Sequence, residues 1–286
     1  MEENESGCGP SSPLCWRYRR RMRGQCMKPH SPWGCHAWAK STAPTAPGLK
    51  AVLVLFLFAL AGVAAASQDG RYYLDLSAGF KTGDFGTPVT SNLYYFAPAF
   101  GYIAPRYDVS VTLPVLSLTT EAAGQSTTET GIGDVVLRGG AELLPAGRGF
   151  SLYGSLAAKL PTADETRGLG TGATDIGAFA TLSRELGPVK LRLLTGYIKV
   201  GDPSGQNLDD VLLYGLGLSG MRGSTHLYGS VEGRTASVPG ADAPLETNVG
   251  FLHPLNPRHW VKGSAFIGLS DGGPRFGASL GFVQWF

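Results

Sequence analysis

Three observations predict an all-β chain closed into a transmembrane antiparallel up-and-down β-barrel of about twelve strands. Apolar and polar residues alternate with period two in segments of about ten residues. The connections between those segments alternate between long and short, save that 270–273 is short where a long one is due. The last segment ends the chain on Phe286, with Phe282, Leu280, Ala278 and Phe276 on the same face. Bacterial barrels combine an even strand number, short periplasmic turns and long outer loops, with both ends of the barrel in the periplasm.

A leader precedes the barrel. Residues 51–60 (AVLVLFLFAL) are uncharged and apolar, Lys50 stands before them, and Ala64, Ala65 and Ala66 supply the small residues a signal peptidase reads. The run 51–66 is shorter than the roughly 20 residues of a membrane-spanning helix. It predicts a signal peptide over 49–66, cleaved after Ala66. Residues 1–48 carry all four cysteines (Cys8, Cys15, Cys26, Cys35) and the basic run 17–23. A disulfide or metal cluster, or a twin-arginine signal, would give them a function. The spacings of 7, 11 and 9 residues fit no paired CxxC pattern. Arg19, Arg20 and Arg21 also stand about thirty residues from the apolar run, so the segment reads as a non-structural extension or a translation start placed too early.

The segment 67–286 then has no cysteine, with 16 Lys+Arg against 19 Asp+Glu, a net charge of 16 − 19 = −3. The +2 of the whole chain therefore belongs to the prefix, and no nucleic-acid partner is implied. Twelve strands are predicted near 71–80, 92–103, 107–118, 131–143, 150–160, 173–183, 189–200, 210–220, 225–234, 245–252, 259–269 and 274–286. Residues 81–91, 119–130, 161–172, 201–209 and 235–244 read as the long loops, of which 119–130 and 161–172 would be the contact surface of a non-transporting barrel.

The faces of these strands predict which way they look. Tyr107, Val109, Val111 and Leu113 share one face of the third strand, opposite Asp108, Ser110 and Thr112. In the second strand Tyr94, Phe96, Phe100 and Tyr102 share a face, and its tilt would place the two tyrosines roughly 19 Å apart, near the spacing of two aromatic girdles. Tyr94, Tyr102, Tyr107 and Phe286 are the predicted membrane-interface aromatics. Apolar faces meeting lipid leave the polar faces to the lumen, and the candidates there are Asp75, Asp108, Asp134, Arg138, Glu142, Lys159, Asp175, Lys190, Arg192, Glu232, Arg234, Glu246 and Lys262. A turn centred between Leu143 and Phe150 would put Asp134 opposite Lys159 and Arg138 opposite Ser155. The next loop would put Lys159 opposite Asp175. Such a row is either a selective constriction or an ion-pair ladder holding the wall, and the ladder is the favoured reading.

Two stretches carry a family resemblance: residues 130–139 (TGIGDVVLRG) and 159–177 (KLPTADETRGLGTGATDIG), together with the ending LSDGGPRFGASLGFVQWF. They resemble the outer-membrane family named after the meta-cleavage pathway of phenol degradation. The resemblance runs over most of 70–286. It implies a bacterial outer-membrane barrel, described as a transporter for aromatic compounds, with membrane lipid and a small solute as partners. Phe286 departs least from the outer-membrane assembly signal, which would engage the barrel-assembly machinery, whereas Gln284 stands where an apolar residue is usual.

A hydrolase would need a base beside a nucleophile, oriented by a third group. His253 and His259 flank a short turn at 254–257 and are expected in solvent, and His226 has only Ser224 nearby. No enzyme and no cofactor or metal is expected. The favoured function is a passive channel for small molecules, aromatic or hydrophobic ones included. The alternative is a barrel with a filled lumen, serving a structural or surface-binding role.

Overall fold

Glycine turns and alternating β-rich segments leave each strand one economical partner, its neighbour in sequence. A computed structural model of the chain describes residues 70–85, 89–122, 124–146, 149–203 and 205–286. The predicted signal peptide and the cysteine-bearing prefix lie outside the described residues. Fourteen strand segments follow one another: β1 (Arg71–Gly83), β2 (Thr90–Ile103), β3 (Tyr107–Thr112), β4 (Val115–Ala122), β5 (Gln125–Ile132), β6 (Val135–Leu144) and β7 (Phe150–Leu160) come first. Then come β8 (Asp175–Leu186), β9 (Val189–Lys199), β10 (Val211–Arg222), β11 (Thr225–Arg234), β12 (Leu245–Pro254), β13 (His259–Gly268) and β14 (Phe276–Trp285). A single 3-10 turn, Glu165–Arg167, sits between β7 and β8.

All pairings are antiparallel, and β1 pairs with both β2 and β14, which closes the sheet. The fourteen segments make a twelve-stranded barrel, because β3 with β4, and β5 with β6, are halves of two interrupted strands. Both halves of the first lie on the same edge of β2. Thr112 faces Ala99 and Val115 faces Phe96, so register is unbroken across Leu113 and Pro114. Pro114 has no N–H to give the ladder, which accounts for the gap there. The second interruption differs. Val115 faces Ile132 but Thr112 faces Val136. One extra residue is thus accommodated at Gly133 and Asp134, as in a β-bulge.

Above this bulge β5 pairs with β4 alone, and β7 has already ended at Leu160, opposite Val135. The expected loop 119–130 is therefore a hairpin that continues the barrel wall outward to Ala122 and back from Gln125. Its polar residues on both faces look like a loop in sequence, yet five of them are threonines, whose branched side chains favour extended backbone. Cross-strand hydroxyl bonds fasten it, with Thr119 and Thr128 2.9 Å apart and Thr130 donating to Ser117 at 2.9 Å.

The turns at 104–106, 145–149, 187–188, 223–224 and 255–258 share one rim with both ends of the barrel, which makes it the periplasmic rim. Outward faces are apolar and uncovered: Leu280 is 70% exposed and Leu156 64%. Inward Ser155 and Ser219 are buried. This inversion of the soluble-protein pattern is what a lipid environment requires.

The seam between β1 and β14 is tight. A β-carbon on Gly277 would lie 2.4 Å from the Phe80 carbonyl oxygen and 2.5 Å from the Phe266 ring. Gly277→Val should therefore cost roughly 3 kcal/mol or more through overpacking at the closing strand. The measurement is the fraction of heat-modifiable, folded protein on cold gels. A normal folded fraction would mean the seam is looser than described.

Candidate functional site

The bulge at Gly133 and Asp134 frees polar groups that the loop at 161–174 then uses. The Asp134 carboxylate accepts the backbone N–H of Thr162 at 3.1 Å and of Ala163 at 3.0 Å. The Thr162 hydroxyl donates to the Gly133 carbonyl at 3.1 Å and accepts the Val135 N–H at 2.8 Å. Both elements of the family-like sequence thus meet at one strand interruption. Lys159 stands between two carboxylates, 2.9 Å from Asp175 and 3.6 Å from Asp134, and donates to the Thr171 hydroxyl at 2.7 Å. Asp175 also accepts the Gly201 N–H at 3.0 Å, tying in the loop after β9.

The predicted cluster forms, but by a different register. Lys159 faces Asp175 across β7 and β8 as expected, whereas Val136, not Asp134, lies opposite it on β6, and Arg138 faces Ala157, not Ser155. The pair nearest the turn is Leu144 with Leu152, and together with the register shift between Glu142 and Leu144 this moves the pairing by two residues. Because the shift is even, every side chain keeps its face and Lys159 reaches Asp134 diagonally.

The loop above the cluster is held by further contacts. Arg167 pairs with Glu129 of the hairpin at 2.7 Å, and Leu169 is buried, close over Gly131. Asp164 caps the 3-10 turn. The Thr166 hydroxyl and then its N–H hold the Asp164 carboxyl below the usual carboxylate range. On the next loop Asp210 takes the Tyr197 hydroxyl and the Lys199 ammonium.

Towards the periplasm the lumen opens into a cavity of about 940 Å³. Arg138, Lys190, Arg192 and Lys262 line it, joined by the aromatic rings of Tyr73, Tyr153, Trp260 and Trp285. Lys262 pairs with Asp75, and the Tyr153 hydroxyl donates to Asp108. A smaller cavity of about 220 Å³ lies against Glu232, Tyr228 and Asn248, and shares Thr181 and Arg192 with the larger one. Glu142 faces Tyr153 on the neighbouring strand, and Arg234 ends β11 exposed at the outer rim. Neither borders these cavities among the described residues. The aromatic lining was not singled out from sequence, although parity carries the signal: Phe286 and Phe282 facing lipid put Trp285 inside.

On the outer face Tyr94 is 57% exposed and Phe286 66%. Tyr102 departs from the girdle expectation. It is only 2% exposed, its ring packed near Tyr72 and Tyr107, because Tyr72 lies directly opposite on β1. Tyr107 is half-buried in the same group. His253 and His259 are half-buried and bonded to Thr225 and Asn256, each at 2.9 Å, in place of the expected solvation.

A closed antiparallel barrel of twelve strands, lipid-ready outside and charged within, is an outer-membrane β-barrel, and the bacterial outer membrane is its location. The fold is similar to that of an outer-membrane channel from Pseudomonas putida F1, with a TM-score of 0.63 and 15% identity over 77% of this chain and 97% of that one. It is also similar to the translocator domain of the autotransporter NalP from Neisseria meningitidis, with a TM-score of 0.50 and 13% identity over 84% of this chain and 98% of that one. No family model matches the sequence, and no curated protein matches it.

Lys159→Ala should lower thermal stability in detergent by about 2 kcal/mol, since it leaves two carboxylates facing each other without their cation. Lys159→Arg should recover part of the loss. Equal melting of Lys159→Ala and wild type would remove the structural role. At Asp164 the depressed carboxyl makes the cap fully present above the ordinary value of about 3.9 and lost as pH falls through the lower folded value. Proteolysis within the loop should therefore rise at acid pH, and Asp164→Ala should show that rise already at neutral pH.

Proposed function

We propose that this barrel is a passive channel for small molecules, working without cofactor or energy source. The observation that carries this reading is the pair of cavities that share Thr181 and Arg192 and run along the inner wall. A filled lumen would pack those side chains against one another. The described channel from Pseudomonas putida F1 supports the reading at the level of shared architecture.

The resemblance of residues 130–139 and 159–177 to the phenol meta-pathway family supports aromatic solutes as the substrate class. Rings of Tyr73, Tyr153, Trp260 and Trp285 on the larger cavity suit such a solute, which can stack where an aliphatic chain could not. Of the predicted lining residues, Arg138, Lys190, Arg192, Glu232 and Lys262 would meet it. Asp134, Lys159 and Asp175 would hold the wall. Catalysis is no part of the proposal: the Thr225 hydroxyl and His253 have no carboxylate bonded to them among the described residues. The last strand, ending in Phe286 and paired to β1 through its N–H to the Tyr72 carbonyl at 3.0 Å, would be the element offered to the assembly machinery.

The test is conductance of the refolded protein in planar bilayers, with uptake of labelled phenol into liposomes. Thr181→Trp, at the junction of the cavities, should lose most of the conductance while keeping heat-modifiability. A wild type that neither conducts nor admits phenol would sink the channel reading.

A further inference from the structure

The cations of the larger cavity are unequally engaged. Lys262 is held by Asp75, whose other oxygen accepts the Ser77 hydroxyl at 2.6 Å. Lys190 is 3.4 Å from Glu185, and Asp108 takes the Tyr153 hydroxyl. Every acidic group on this wall thus has a partner. Arg138 and Arg192 have neither hydrogen bond nor ion pair among the described residues, although both line the cavity. Four cations against Asp75, Asp108 and Glu185 leave the lining at 4 − 3 = +1, because the two guanidinium groups outweigh the Asp108 carboxylate, whose partner is a neutral hydroxyl.

Two indole rings lie on the same wall. The indole N–H groups of Trp260 and Trp285 are buried without a partner among the described residues, and the two rings stand 6.2 Å apart at 68° on the same cavity wall. Arg192 also borders the smaller cavity, so a solute crossing between the two passes its guanidinium. Fixed cations inside a low-dielectric wall concentrate anions, and the planar fork of arginine suits a carboxylate.

We infer that the lumen is selective for small organic anions, monoaromatic carboxylates in particular, with Arg138 and Arg192 as the selectivity-determining residues. The inference rests on the channel reading above and adds to it the charge of the solute. Because neither arginine side chain has a hydrogen bond or ion pair among the described residues, replacing both removes selectivity without breaking one.

Reversal potentials under a potassium chloride gradient measure the charge preference at low salt, where screening is least. The wild type should pass chloride over potassium by about threefold or more, and the double variant Arg138→Gln/Arg192→Gln should approach unity. Benzoate influx should fall with it by a clearly larger factor than benzyl alcohol influx, and the melting temperature should match wild type. Cation preference, or a ratio the double variant does not change, overturns the inference and leaves the channel reading standing. Titration calorimetry with benzoate separates the remaining cases. Benzoate binding that the double variant loses, in a protein that does not conduct, supports the anion site and ends the channel reading. Neither binding nor conductance overturns both.

Discussion

A backbone that crosses hydrocarbon must satisfy all its N–H and C=O groups within the protein, since no water is there to take them. For a β chain the only complete solution is closure, and the pairing of β1 with β14 supplies it. The rest of the architecture answers to that seam. Small residues such as Gly277 stand where strands cross tightly, and outward leucines face lipid. Even strand number and neighbour pairing follow, because an up-and-down meander closes on itself only when its first and last strands run antiparallel.

The constraint is relaxed at one place, and the charged cluster sits there. Where the strand containing β5 and β6 is interrupted, Gly133 and Asp134 leave the ladder, and β5 has a strand on one edge only. The loop from 161 to 174 takes over the lost pairing. Thr162 and Ala163 bond to the interruption, Arg167 reaches Glu129, and Lys159 neutralises two carboxylates that would otherwise repel. The family-like motifs are therefore the two halves of one repair, which explains why Asp134 and Thr162 need their particular chemistry. A selective pore would place its unpaired charges elsewhere, and the unpartnered Arg138 and Arg192 lie towards the periplasm, away from this repair.

Much of this was legible in the chain. Alternation identified the strands, and parity put Asp134, Lys159 and Asp175 on the inner face. Parity is robust, as the two-residue register error between β6 and β7 shows: it moved Lys159 from Asp134 to Val136 without turning any side chain around. The stretch 119–130 reads as a loop because beyond the bilayer neither face need be apolar, so the alternation that marks a strand disappears. Tyr102 has the pattern of a girdle residue in sequence because its cover, Tyr72 on the next strand, is a cross-strand neighbour that no local pattern reveals.

By itself the sequence determined the class of protein, the strand number and the face of each residue, since these depend on local period and on the even count a meander needs. Tertiary structure decided register, the extension of the wall at β4 and β5, and which inward charges meet. Lys159 is satisfied and Arg192 is not, though both are basic residues on inward faces of neighbouring parts of one wall. That difference comes from strand stagger and from a loop folding back over a bulge, and contacts between residues far apart in sequence are set by closure and not by composition.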